Sequence, residues 1–119
     1  MTRPDDTIIQ TVTVAAGASL SGASTKRNGY RLVGLCTAST WDAAKISFAV
    51  SNDDTTYYTL YDETGAEINV SNAITGAAAI ALNPADFIGW DYVKVRSGLV
   101  GAATNQADAT VVTLVFQLF

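Results

Sequence analysis

The sequence predicts an all-β protein, an antiparallel β-sandwich or jelly roll of about eight strands. Three observations predict it. Short segments rich in β-branched and aromatic residues alternate apolar and polar with period two, and clusters of Gly, Asn and Asp separate them. No segment keeps a 3.6-residue apolar period long enough to make a stable helix. A chain of 119 residues with 49% apolar and 15% charged residues is one domain with ample core material and no signature of disorder. A domain of this size buries about two thirds of its unfolded surface, enough for stability without disulfides or metals.

Met1 to Thr7 is polar, contains Pro4 and precedes any alternation, so it reads as a flexible N-terminal arm before a single sandwich domain over residues 8–119. In the first strand Ile8, Gln10, Val12 and Val14 share one face, and Ile9, Thr11 and Thr13 the other. Ala15 to Asn28 is small and polar, an irregular connection with a short strand at its start. Tyr30 to Thr37 is the next clear strand. Lys45 to Ser51 follows, with Ile46, Phe48 and Val50 on one face. Asn52, Asp53 and Asp54 supply turn chemistry, and Thr56 to Tyr61 returns as the partner of a hairpin. The turn Asp62-Glu63-Thr64-Gly65 leads into a strand at Glu67 to Val70. Gly76 to Leu82 is apolar and too short for an isolated helix, so it is assigned as a strand.

Asn83-Pro84-Ala85-Asp86 carries a helix start, Asn as N-cap and Pro at the first helical position, but Gly89 leaves room for only a single turn over 84–88. Tyr92 to Ser97 is a strand with Val93 and Val95 inward and Tyr92, Lys94 and Arg96 outward. Gly98 to Ala107 reads as a long polar loop. Thr110 to Phe119 is apolar on both faces, with Val111, Val115 and Phe119 on one and Val112, Leu114, Phe116 and Leu118 on the other. Such a strand belongs in the middle of a sheet or under a partner that covers its outer side.

The chain has no histidine and one cysteine, which removes His-based triads, histidine metal sites, zinc fingers and disulfide frameworks. A net charge of −4 argues against nucleic acid as a partner. No apolar run nears the roughly 18 residues of a membrane helix, and the N-terminus lacks the layout of a signal peptide, so no membrane is expected either.

Asp53, Asp54, Asp62, Glu63 and Glu67 form the densest acidic group. Carboxylates beside tight turns can bind calcium, but the spacing is not that of an EF-hand loop. Asp favours turns for local reasons, so these are expected as solvated turn residues, and neither a metal nor another cofactor is expected. Asp62 with Glu63, or Asp86 with Asp91, could serve as paired carboxylates of a glycosidase. A sandwich this small has little room for the required cleft, and nothing selects a pair. Cys36 has no histidine to activate it and apolar neighbours around it, so it is expected to be buried and inert. No catalytic residue is assigned, and the chain is expected not to be an enzyme.

Trp41, Trp90, Tyr57, Tyr58 and Tyr61 raise the question of sugar stacking; the alternative is that Trp41 and Trp90 plug the open ends of the sandwich. Tyr92, Lys94 and Arg96 form a small basic-aromatic ladder that could grip an acidic ligand or be an ordinary solvent face.

The stretch Ile46-Ser47-Phe48-Ala49-Val50-Ser51-Asn52-Asp53, followed by Tyr57-Tyr58-Thr59-Leu60, resembles the strand–turn–strand of discoidin-like (galactose-binding-like) jelly rolls. Tyr92 to Arg96 is similar to a later strand of those domains. Their usual Asp-Gly turn is here Asp53-Asp54. The resemblance implies jelly-roll topology and carries over no ligand residues, because contacts in those domains lie on variable loops.

A broader resemblance spans residues 30–118 as an ordered series: Leu35 onward, Trp41-Asp42-Ala43-Ala44, Ile46 to Ser51, Leu60 to Glu67, Asn83 to Phe87, Val93 to Gly98, and Asn105-Gln106-Ala107. This series is similar to the small head-associated virion proteins of tailed bacteriophages and gene-transfer particles. It implies a non-enzymatic structural protein made in the host cytoplasm and placed on the virion. There it would act as a capsid decoration (cement) protein or as a spike or fibre component. The implied partners are the major capsid protein or other virion subunits, and a homo-oligomer is compatible with that role.

A carbohydrate-binding module for host attachment, with a surface glycan as partner, is the alternative. The residues nominated for partner or glycan contact are Trp41, Tyr58, Asn105 and Gln106. The arm and the 98–107 loop are the segments nominated for docking.

Overall fold

A computed structural model of the chain describes residues 7–118. It contains ten strands: β1 (Thr7–Val14), β2 (Thr25–Lys26), β3 (Arg31–Thr37), β4 (Ala44–Ser51), β5 (Tyr58–Thr59), β6 (Asn69–Ile74), β7 (Ala78–Ala81), β8 (Tyr92–Leu99), β9 (Ala102–Ala103) and β10 (Thr110–Gln117). A single 3-10 turn covers Pro84–Asp86. The strands form two sheets, β1-β10-β3-β7 and β2-β8-β4, with β5 and β6 both on the far edge of β4 and β9 paired back onto β8. Every pairing is antiparallel.

Without the accessory β5 and β9, the chain visits the sheets in the order first, second, first, second, second, first, second, first. That path, with orders β1-β10-β3-β7 and β2-β8-β4-β6, is the jelly roll. The all-β class and the sandwich architecture expected from the alternation are therefore observed.

The core lies between the layers. From the first sheet come Val12, Val14, Leu32, Leu35, Val112, Leu114 and Phe116, and from the second Ile46, Phe48, Val50, Val93 and Val95, all at most 2% exposed. Phe87, just after the 3-10 turn, closes one side by packing edge-on against Phe48, with ring centroids 4.9 Å apart and planes at 84°. Leu32 and Leu35 are both buried although strict alternation would part them. A register shift opposite Val115 and Phe116 absorbs the extra residue. Gly34 sits at this irregularity, and a Cβ there would lie 3.0 Å from the Ile80 carbonyl oxygen, so a side chain would push β3 and β7 a few tenths of an ångström apart.

Several boundaries differ from the sequence expectation. Thr7 pairs with Gln117 and belongs to β1 rather than to an arm; Met1 to Asp6 lie outside the described residues. In the 15–28 connection the regular strand is at its end (β2), while Leu20 makes a lone bridge to Arg96. The strand expected at Thr56–Tyr61 narrows to Tyr58–Thr59, and the strand after it begins at Asn69 and runs on to Ile74.

The 98–107 segment is not an open loop. β8 continues to Leu99, turns back, and pairs with β9 through Gly98 and Ala103. The hairpin escapes a hydrophobicity pattern because its returning strand is only Ala102 and Ala103, after a turn through Gly101. Gly98 has φ +90, and a Cβ there would meet the Ala102 carbonyl oxygen at 2.6 Å. The Asn83 N-cap is as expected: its side chain accepts from the Ala85 N–H at 3.2 Å.

Candidate functional site

Two of the four residues nominated for contact are inside the protein. Trp41 is 2% exposed, its indole Nε1 has no hydrogen-bond partner among the described residues, and it serves as core; Trp90 is half-buried and packs against the same core. Gln106 is fully buried. Its Nε2 donates to Ser97 Oγ (2.8 Å) and to the Asp42 carbonyl (3.2 Å), and its Oε1 accepts from the Asp42 N–H (2.6 Å). The Gln106 backbone is also held, its N–H by Ala18 O and its carbonyl by Gly17 N–H. A glycan or protein partner cannot reach either side chain. Tyr58, 61% exposed, and Asn105 do lie at the surface.

The basic-aromatic ladder on the outer face of the second sheet is already partnered. Arg96 donates to Ser47 Oγ (3.3 Å) and Thr59 Oγ1 (3.4 Å) and pairs with Glu67 at 3.5 Å. Glu67 accepts in turn from the Val100 N–H (3.0 Å). Lys94 Nζ lies 4.5 Å from the centre of the Tyr57 ring, and Lys26 lies 5.7 Å from that of Tyr92. Ser47, Ala49 and Ser51 point outward on β4 and are nonetheless buried, because these long neighbours spread over them.

The acidic turns bind themselves. One Asp53 oxygen accepts from the Thr55 and Thr56 N–H groups and from Ser51 Oγ, each at 2.9 Å. One Asp62 oxygen accepts from Thr64 Oγ1 (2.6 Å), the Thr64 N–H (2.8 Å) and the Ala66 N–H (3.0 Å). Asp54 accepts from the Tyr57 hydroxyl and from Ser24 Oγ. Among the described residues no three His, Cys, Asp or Glu converge as a metal site.

These bonds hold the carboxyls below the usual value of 3.8: Asp53 chiefly through the Thr56 N–H, Asp54 through the Tyr57 hydroxyl, and Asp62 through the Thr64 hydroxyl. The stability they supply is complete above pH 3.8 and is lost as pH falls below it toward the lower folded values. Burial, then the bond to Asp54, pushes Tyr57 from 10.0 up to about 12, so its contribution is complete below pH 10 and is lost on the way up to about 12. The thermal midpoint should therefore fall on acidification through 3.8, less steeply in Asp53→Asn and Asp62→Asn. One tyrosine should titrate near 12 by tyrosinate absorbance, a step that Tyr57→Phe removes.

The surface features left unoccupied are a flat face and a cleft. The face is the outer side of the first sheet. Apart from Arg31 at one end, its four strands carry no charged residue. Ile9 is 63% and Val111 43% exposed there, beside the half-buried Val115. The apolar-on-both-sides β10 thus lies mid-sheet, between β1 and β3, with its outer side uncovered. Beside the Ile9–Val115 ridge is a shallow depression of about 270 Å³ lined by Val33, Gly34, Cys36, Ala79 and Ala81. Cys36 is half-exposed in it, not buried as expected, because it occupies an outward position between inward Leu35 and Thr37.

The cleft, about 340 Å³, opens between the free edges of β6 and β7 onto Phe48 and Phe87, with Asn69, Asn83 and Asp86 among its lining. A second depression of about 270 Å³ shares Ile68 and Asp86 with it and adds Tyr61, Asp62, Glu63 and Trp90. Sequence reasoning named neither the depression nor the cleft. The signal available for the face was the outward Val111 and Val115 of the last strand.

The sequence matches no protein-family model and no curated protein. Among solved structures the fold is similar to the crystal structure of SPBc2 prophage-derived protein YomS. The likeness has a TM-score of 0.52 at 16% identity and covers 93% of this chain and 95% of that one. It extends over the whole jelly roll rather than over a shared strand pair.

Proposed function

We propose that the protein is a non-enzymatic component of a bacteriophage particle that decorates the capsid and stabilises it by bridging neighbouring subunits. The observation that carries this reading is the uncharged outer face of the first sheet. A broad, solvent-facing array of Ile, Val, Thr and Ala with only a shallow depression is suited to protein docking rather than to a small ligand. The whole-chain fold likeness to a prophage-derived protein supports the setting. Contacts of this kind stabilise both subunits by mass action, with no bond made or broken.

The test is occupancy on the particle. Val115→Lys places a charge in the middle of the face at a position that is not core, so the fold should remain. Occupancy should fall about tenfold or more, since a buried unpaired charge costs several kcal/mol. Occupancy equal to that of the parent chain would remove the face from the account.

The depression beside the cleft favours a second reading, attachment to a surface glycan. Tyr61, 50% exposed, and Trp90 line a depression together with Asp62, Glu63 and Asp86. Apolar rings beside hydrogen-bond acceptors suit the apolar faces and hydroxyls of a sugar. Tyr61→Ala should abolish binding on a glycan array without changing the melting temperature. An array on which the parent chain binds no glycan contradicts this reading.

A further inference from the structure

We infer that the outer face of the β1-β10-β3-β7 sheet is a homodimer interface, and that a second copy of this chain covers it through a two-fold axis running along the strands between β10 and β3. The inference goes beyond the docking reading above and shares only its face, which in free solution is covered by a second copy. It begins from the register. Ile9, Val115, Gly34 and Ala81 face one another in sequence across the four strands. Thr11, Thr113, Cys36 and Ala79 form the next such row. In each row the larger side chains lie on β1 and β10, and the smaller ones, or none, on β3 and β7. The face is thus a ridge beside a hollow, the hollow being the depression lined by Gly34, Cys36, Ala79 and Ala81 with Val33 at its rim.

A two-fold axis in the plane of the face and parallel to the strands exchanges β1 with β7 and β10 with β3. It sets Ile9 of one copy over Ala81 of the other, and Val115 over Gly34. Ridge fills hollow twice, once for each copy, which is the self-complementarity an isologous contact requires. Charge points to the same occupant. The chain carries a net charge of −4, so two copies repel through most of their surface. This sheet contributes no acidic residue, and its Arg31 lies at one end.

The area fits a modest contact. Four strands about 4.8 Å apart and about 25 Å long give a footprint on the order of 450 Å² per copy. Two copies together come to roughly 900 Å², near the lower limit of specific interfaces. The dimer should therefore dissociate on dilution.

Sedimentation equilibrium on the full chain, from micromolar to millimolar, tests this. The parent chain should pass from monomer to dimer within that range. Val115→Lys and Ile9→Ala should each raise the dissociation constant, the former about tenfold or more. The double variant Ile9→Ala with Ala81→Leu moves bulk from ridge to hollow and should recover at least part of the loss. Circular dichroism melts confirm that each variant is folded.

A parent chain monomeric throughout, or a Val115→Lys variant that dimerises as the parent does, overturns the inference. The outcome separates from that of the particle assay. A monomeric parent whose Val115→Lys variant still loses particle occupancy leaves the docking reading standing without the dimer. A dimer broken by Val115→Lys with occupancy unchanged leaves the dimer standing without particle docking through this face.

Discussion

Replacing Gln106 by leucine should lower the stability of the protein by about 3 kcal/mol, since it leaves three polar groups without partners beside the fully buried Gln106 and Ser97 positions. Leucine has similar bulk, so packing is nearly conserved and the loss isolates the hydrogen bonds. The stranded groups are the Asp42 N–H, the Asp42 carbonyl and the Ser97 hydroxyl. Gln106 joins three remote segments. Its side chain holds the start of the 42–44 stretch and the end of β8, while its backbone holds the turn after β1. Its removal should loosen one whole end of the sandwich rather than a single loop.

Gln106→Glu is the sharper variant. It keeps the acceptor facing the Asp42 N–H but replaces the donor aimed at the Asp42 carbonyl by a carboxylate oxygen. The buried carboxyl should titrate above the ordinary glutamate range, so this variant should be most stable in its protonated form and lose stability as pH rises through the raised value. Urea unfolding measures both variants; a Gln106→Leu midpoint equal to that of the parent would show that the three groups find other partners.

Arg27→Ala should cost a similar amount, about 2–3 kcal/mol, by a different route. The Arg27 side chain, 8% exposed, donates through Nε to the Trp90 carbonyl (2.7 Å) and through its two terminal nitrogens to the Tyr30 and Ile88 carbonyls (2.6 Å each). Its backbone N–H also donates to the Asp91 carbonyl at 2.7 Å. One guanidinium therefore ties the turn at Asn28 and Gly29, both at positive φ, to the segment that follows the 3-10 turn. That segment carries Phe87 into the core and Trp90 against it, so the clamp helps position one wall of the cleft and of the depression beside it.

Alanine leaves three carbonyls short of a donor, although those nearest the surface regain water, which keeps the cost below the sum of three buried losses. Arg27→Lys should recover only a small part. A single ammonium cannot reach three carbonyls that diverge around a planar fork. A shift in the urea midpoint at unchanged slope is the expected result. A lysine variant as stable as the parent would contradict the fork geometry as the cause.

Local pattern made most of the fold legible. Alternation marked β1, β4 and β8, a short apolar run marked β3, and the Asn83-Pro84 pair marked the one helical turn, because these signals act over a few residues. The last strand was legible in a further sense: apolar residues on both faces called for a place in mid-sheet or a covering partner, and it lies between β1 and β3. What escaped depends on contacts between distant parts of the chain. Gln106 looks like a loop amide in sequence, and only the convergence of Asp42 and Ser97 makes it core.

Arg27 reads as a surface charge until three carbonyls from two separate turns close around it. Trp41 was open between a sugar platform and a core plug, and the strands packed around it decide for the plug. The hollow of the outer face was hidden because Gly34, Cys36, Ala79 and Ala81 mean nothing together until β3 and β7 pair.

Electron microscopy of a particle carrying this protein, at a resolution that traces strands, tests the central claim most directly. The account predicts that Ile9 and Val115 are packed against a neighbouring chain, a capsid subunit or a second copy. A decorated particle in which that side of the first sheet is bare to solvent, with every contact made elsewhere, would contradict it.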